Sequence, residues 1–296
     1  MKTQIVFLIF LDLNPKMFKS VGMEKIYKIL VLSDLKESSN RVLKNAVSFS
    51  KLVGGETNLF HVKKPTDIID RESQLSAYRT INEKRALTKK NIESIINNVN
   101  ESINAKVNFS YVFGNVKNEI EDYISTYKPD LIVLGKRKSK TFSLGDNITD
   151  FVLKAYEGIV MIIDNKSDIQ FHRELSLGLL DEKNKLFNIN ITDLLLAQSK
   201  KPLKSFKFVS KAATENIEQS SNDSSLVEYI FERNDNSIQN LAKFLKKSDI
   251  DILLVDGNYN EDKKSGGLNQ SDIRNVINQV NIPLIISNNR NVSGVS

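Results

Sequence analysis

Pro129-Asp130-Leu131-Ile132-Val133-Leu134-Gly135, followed by Lys136-Arg137-Lys138-Ser139-Lys140-Thr141-Phe142-Ser143-Leu144-Gly145-Asp146-Asn147, is the stretch that decides the fold. Proline and aspartate stop a helix, and the β-branched apolar run after them reads as a buried strand. Gly135 then turns the backbone into a basic, hydroxyl-bearing loop, and a helix is predicted from about Ile148. In an open parallel sheet, ligands sit outside the carboxyl ends of the strands, where such loops meet helix N-termini. An anion, if bound, belongs here. The bland alternatives are that the Lys136–Lys140 cluster is a solvated loop and that Asp146 caps the next helix.

Working outward, Ile26–Ser33 (IYKILVLS) is predicted as the first strand and ends at Asp34. Ser38 or Ser39 opens a helix whose apolar positions run from Val42 to Val53, stopped by Gly54-Gly55. Thr57–Val62 is the second strand. Ile92, Ile95, Ile96, Val99 and Ile103 mark one face of a long helix. Val107–Phe113 alternates as a third strand ended by Gly114, and Ile120–Tyr127 is a helix ended by Lys128-Pro129. Ile159–Ile163 (IVMII) is the fifth strand. Strands alternating with helices in this way imply a parallel α/β sheet. The first domain is expected over 23–168.

The remainder, 169–296, repeats the pattern in shorter form. Leu175–Leu180 followed by Asp181 echoes the first strand and Asp34. Ser205–Val209 and Leu226–Phe231 read as strands, with polar 211–225 between them. Ile238, Leu241, Ala242 and Leu245 face a helix. Asp251-Ile252-Leu253-Leu254-Val255 parallels Asp130-Leu131-Ile132-Val133-Leu134, and Gly266-Gly267 follow as Gly145 follows Gly135. A helix through Ile273–Val280 leads to Ile282–Ile286, the last strand.

Composition narrows the chemistry. The chain has 296 residues, 40% hydrophobic and 26% charged, as ordinary globular proteins have. It has no cysteine, which excludes disulfides, thiolate zinc sites and cysteine nucleophiles, and only two histidines, His61 and His172. His61, inside a strand run, reads as a packed core residue. No Walker loop or Gly-x-Ser-x-Gly elbow is present. The net charge of +6 is interspersed with acids and forms no basic stripe with interleaved aromatics, so no specific nucleic acid is expected. Ile5–Leu11 is too short to span a bilayer. No small-residue cleavage site follows it, and Met23-Glu24-Lys25 directly precedes the first strand. Residues 1–22 are expected to be an extension outside the fold, natural translation to start at Met23, and the protein to be cytoplasmic, with no membrane partner.

These residues resemble the universal stress protein family, and the chain is similar to a tandem member with a degenerate second copy. The resemblance rests on Lys28-Ile29-Leu30-Val31 leading to Asp34, Leu59-Phe60-His61-Val62, Gly114, and Asp130-Leu131-Ile132-Val133-Leu134-Gly135. It implies two doubly wound, five-stranded parallel α/β domains with strand order 3-2-1-4-5, of the adenine nucleotide alpha hydrolase-like class. It also implies a role in stress survival and pairing through the last strands, as a homo-dimer or an intramolecular pseudo-dimer.

Family members divide into those that bind ATP and those that do not. Binders carry glycine, two residues, glycine, nine residues, then glycine and serine or threonine. In that pattern Asp34 meets the adenosine moiety, Val62 lines the adenine pocket, and Gly135, Lys138, Gly145 and Asn147 fall at the ribose and phosphate positions. The departures are specific. Lys138 replaces the second glycine, and the loop is two residues shorter than in typical binders. An ungapped alignment puts Asp146-Asn147 at the glycine-serine pair, whereas a one-residue bulge restores Gly145. Asp256 replaces the first glycine in the second half. Lys136, Arg137, Lys138 and Lys140 supply compensating charge. The reading is a non-catalytic sensor or interaction module for an unidentified protein partner, with ATP or another adenine nucleotide at the first domain. Two alternatives stay open: an ATP-binding switch with weak hydrolysis, and a dimerisation scaffold that binds no nucleotide.

Overall fold

Leu131 to Leu134 are all apolar and all buried, so the strand they form, β4 (Leu131–Gly135), lies inside a sheet rather than at its edge. The computed structural model describes residues 25–64, 74–137, 148–164, 169, 171, 173–180, 190–209, 226–257 and 268–288. Parallel to β4 run β1 (Tyr27–Leu32) on one side and β5 (Ile159–Ile163) on the other. Beyond β1 come β2 (Gly55–Lys63) and β3 (Val107–Phe113), giving the order 3-2-1-4-5. The crossovers contain α1 (Ser39–Val53), α2 (Gln74–Ile103), α3 (Val116–Tyr127) and α4 (Ile148–Ala155). Local chemistry sets their ends. Gly54 closes α1 at φ +69°, a left-handed turn that glycine takes without strain. The Asn115 side chain accepts from Lys117 N and Asn118 N to open α3.

The second half contains β6 (Leu177–Leu180), α5 (Asn190–Ala197), β7 (Leu203–Val209), β8 (Leu226–Glu232), α6 (Ser237–Lys247), β9 (Ile252–Asp256), α7 (Gln270–Gln279) and β10 (Leu284–Ser287). Its strands lie in the order 8-7-6-9-10, the same winding as the first half. Strands β5 and β10 pair antiparallel and join the halves into one ten-stranded sheet, β3-β2-β1-β4-β5-β10-β9-β6-β7-β8. Strands β1, β2, β7, β8 and β10 begin or end one or two residues from the expected bounds, and two further differences have a local cause. Strand β6 starts at Leu177, because Leu175 instead bridges Ser199. Helix α5, in a stretch given no element above, covers the sheet with Ile191 and Leu195.

Alternation sorts the core onto two faces. Ile29, Val31, Leu131, Val133 and Met161 pack with α1, α2 and α5; Leu30, Ile132, Leu134, Val160 and Ile162 pack with α3, α4, α6 and α7. Both clusters run through both halves.

A matched device fixes the correspondence between the halves. The Asp130 backbone N–H donates to Lys28 O, and its carboxylate accepts from Lys28 N. Asp251 does the same with Ser176. Each aspartate also pairs with a cation, Lys25 at 2.7 Å and Arg173 at 2.6 Å. The aspartate at the start of the middle strand therefore pins the neighbouring strand in both halves. In register, Ile132 lies beside Val160 and Leu253 beside Leu284, so Met161 and Ile285 are counterparts. These two pair directly with each other, and an approximate two-fold passes between them.

The core makes a quantitative prediction. Phe60 is 1% exposed and its ring stacks on Tyr123 at 4.0 Å. Phe60→Ala should cost about 3–5 kcal/mol, read from the urea midpoint at unchanged slope; a loss below about 1 kcal/mol would show that the site collapses around the deletion.

Candidate functional site

The strand order reverses between β1 and β4, where one connection leads away to β2 and the other to β5. Side-by-side strands with diverging connections leave a crevice at their carboxyl ends. Three of the residues singled out in the sequence lie around it: Asp34 just past β1, Val62 near the end of β2, and Gly135 at the end of β4. Lys138, Gly145 and Asn147 lie outside the described residues, as do Lys140, Asp146, Asp181, His172 and Gly266-Gly267.

Asp34 does two things. Its Oδ1 accepts from Lys36 N at 3.1 Å, a local turn, and its Oδ2 pairs with the Arg137 guanidinium at 3.1 Å. The turn role and the ligand-facing role are therefore compatible. Arg137 is well exposed, so the ion pair is weak and exchangeable. The sequence put Arg137 in a basic cluster but gave no sign of its partner, which lies about a hundred residues earlier. Gly135 is close to α1: a Cβ there would stand 3.0 Å from Val42 Cγ2 and 4.0 Å from Ser38 Oγ. Glycine thus keeps open a gap that any side chain would fill.

Behind the mouth the turn is braced. Ser33 N donates to Phe60 O, Ser33 Oγ donates to Ser39 Oγ at 2.9 Å, and Leu35 N donates to Ser33 Oγ at 3.1 Å. Leu35 holds φ at +58°, an uncommon value for a branched residue. His61, 7% exposed, donates from Nδ1 to Ser33 O at 2.8 Å. Burial pulls the His61 pKa below 6.5; the Ser33 carbonyl partly opposes this, Lys63 adds to it, and Asp34 opposes it. His61 is thus a neutral brace under the Asp34 turn. Val62 is half-buried on the face that carries Phe60.

Lys136 turns away from the crevice. Its N–H donates to Ile163 O at 2.8 Å, and its Nζ reaches the second half, donating to Val280 O at 2.7 Å. Among the described residues no cluster of His, Asp or Glu is set to hold a metal ion, and no helix is long and apolar enough to cross a membrane.

The second half builds its counterpart crevice differently. Asp256 ends β9 where Gly135 ends β4. Arg233 is bound to Asp272 at 2.7 Å, and Asp272 also accepts from Asn269 N in the capping box of α7. The N-terminus of that helix is therefore already served by the protein's own carboxylate. Register also corrects the sequence echo: Leu180 lies beside Val255 as Leu32 lies beside Leu134, so by counting Asp181 corresponds to Ser33 rather than to Asp34.

Comparison with known proteins agrees with this geometry. Residues 25–162 match the universal stress protein family. The first half of the chain belongs to the universal stress protein family. A universal stress protein from Archaeoglobus fulgidus DSM 4304 is similar in structure at 16% identity, over 88% of this chain and 95% of that one, with a TM-score of 0.62. A functionally unknown protein from Pseudomonas aeruginosa PAO1 is similar at 11% identity, over 90% of this chain and 94% of that one, with a TM-score of 0.52. At such identities the likeness is one of fold, and it extends across both halves. No curated protein sequence matches the chain.

The buried histidine gives a pH prediction. A folded-state pKa below the unfolded value of 6.5 means that the unfolded chain binds more protons as pH falls past 6.5. The His61 contribution is complete above that pH and is lost as pH falls toward the folded pKa. The urea midpoint should fall between about pH 7.5 and about pH 5.5, and His61→Gln should flatten that slope. An unchanged slope in the variant would assign the dependence elsewhere.

Proposed function

We propose that this chain is a cytoplasmic stress-response protein that takes ATP or another adenine nucleotide at the crevice between β1 and β4, and acts as a sensor or interaction module rather than as a catalyst. The observation that carries this reading is the convergence of Asp34, Gly135 and the exposed, exchangeable cation Arg137 on one crevice of a universal stress protein half. The residues suit such a ligand. Gly135 leaves room for the backbone to approach a phosphate or ribose. Arg137 can exchange Asp34 for phosphate oxygens, a stronger match for a guanidinium fork. Asp34, released, is acceptor-only and suits the hydroxyl and amino donors of adenosine. Val62 supplies apolar surface, and Lys138, Gly145 and Asn147 are the loop positions assigned to ribose and phosphate.

We read the chain as two domains, 23–168 and 169–296, with the second a degenerate copy. Asp256 at the position of Gly135 would repel a triphosphate, so the first domain binds and the second serves as its packing partner. The competing reading is a scaffold that binds no nucleotide anywhere.

Thermal unfolding with and without millimolar ATP, ADP and AMP separates the two. A ligand at 100 times its Kd stabilises by about 2.7 kcal/mol and should raise Tm by a few degrees. The shift should vanish in Arg137→Ala and shrink in Asp34→Asn. No shift with any adenine nucleotide would reject the binding reading in favour of the scaffold.

A further inference from the structure

Because β5 and β10 run antiparallel, the strands of the two halves point in opposite directions. The strand starts of the second half therefore lie at the end of the molecule that holds the crevice of the first. The contact from Lys136, just past β4, to Val280 O, shortly before β10, is made at that end. Helix α6 finishes there, and the turn between α5 and β7 lies there too.

This part of the surface is basic. Lys243, Lys246 and Lys247 stand at i, i+3 and i+4 of α6, all exposed, and α6 has no acid of its own. Like charges at that spacing are neighbours on a helix face and repel. The turn before β7 adds Lys200 and Lys201, both exposed, and β7 adds the partly buried Lys204. Asp249 ties the two groups together: its Oδ2 lies 3.9 Å from Lys200 Nζ, and its carbonyl accepts from Lys204 Nζ at 3.5 Å. Among the described residues Glu174, Asp249 and Asp251 border the patch, and Asp251 is held by Arg173 at 2.6 Å. The lysines outnumber them.

The fold does not require these charges. Leu180 beside Phe206 matches Leu32 beside Phe60, and Asp251 matches Asp130, which makes Phe244 the counterpart of Tyr123. The ring contacts agree, Phe206 with Phe244 at 5.9 Å and Phe60 with Tyr123 at 4.0 Å. On the same count Lys204 stands for Asn58, and Lys243, Lys246 and Lys247 stand for Asp122, Ser125 and Thr126. A basic last turn offsets a helix dipole, yet α3 holds the same place in the fold with no basic residue in its last turn.

We infer that this surface, the outer face at the end of α6 together with the turn before β7, docks an Asp/Glu-rich segment of a protein partner. What surrounds the lysines favours acidic protein over other polyanions. A bilayer takes up apolar side chains as well as charge. Among the described residues the exposed large apolar side chains are Ile26, Leu87, Val227 and Ile230, and of these Val227 alone, beside Lys204, borders the patch. Single-stranded nucleic acid stacks on exposed rings, whereas Phe206, Tyr229 and Phe244 are packed against one another. Lysines are point charges on flexible stems and suit carboxylates spaced along an extended chain. The docking rests on the interaction-module reading and needs no nucleotide, so a failed thermal shift with ATP leaves it standing.

The probe is a fluorescein-labelled oligoglutamate peptide, titrated with the full chain at about 50 mM salt and read by anisotropy. Saturable binding is expected. It should weaken about tenfold when Lys243→Asp, Lys246→Ser and Lys247→Thr give α6 the outer face of α3. Lys201→Glu, outside any helix, should weaken it about threefold. Lys89→Glu, Lys90→Glu and Lys106→Glu together remove more net charge from another surface and should weaken it less than about twofold. An equal loss in that control would mean that net charge, and not the patch, holds the peptide, and would overturn the inference. Absence of oligoglutamate binding would overturn it too. So would tighter binding of an oligothymidylate of the same length, or of vesicles containing phosphatidylserine, than of the peptide.

Discussion

The antiparallel pairing of β5 with β10 is the constraint on which the rest of the structure depends. Every residue of Ile159–Ile163 and of Leu284–Ser287 is buried. Left unpaired, each of these strands would be the apolar edge of a five-stranded sheet, with a row of unused N–H and C=O groups. Joined, they bury those groups and make the two faces continuous. Each core cluster therefore draws on both halves: Val133 and Leu254 belong to one, Ile132 and Leu253 to the other. The link is reinforced away from the strands, where the Asn45 side chain in α1 accepts from Ile169 N at 2.9 Å and Phe49 packs edge-on against Phe171.

Within that frame the halves have diverged in what they present at the crevice. The first keeps the glycine at the end of β4 and a cation that can change partners. The second ends β9 in an acid and ties Arg233 to Asp272. The same winding thus carries two unlike crevices. Lys136 ties the first of them to the second half, because it follows Gly135 in sequence and crosses to Val280 O. The backbone beside the crevice is thereby held from the second half.

Much of this was legible in the sequence, for physical reasons. Strands β3 and β5 were read at their observed bounds because alternation or an unbroken apolar run leaves one burial pattern available. Helix α3 ended where expected because Pro129 cannot continue it. Asp251 was recognised as the partner of Asp130, and both make the same contacts. Helix α5 was missed because Ile191-Thr192-Asp193-Leu194-Leu195-Leu196 is too short to separate helix from buried strand by periodicity. The Asp181 echo was one residue out because only the pairing of Leu180 with Val255 sets the register. At the site, positions along the chain were visible but pairings were not. Neither Arg137 to Asp34 nor His61 to Ser33 O has a local signal, because both link strand ends that only the sheet brings together.

Native-state hydrogen exchange on the amides of β5 and β10 would show whether the seam holds the two halves as one unit. If the seam is the constraint described here, both strands exchange only through global unfolding, at the same free energy and with the same denaturant dependence. Exchange of β10 through a cheaper opening that leaves β5 protected would instead mean that the first half stands without its partner.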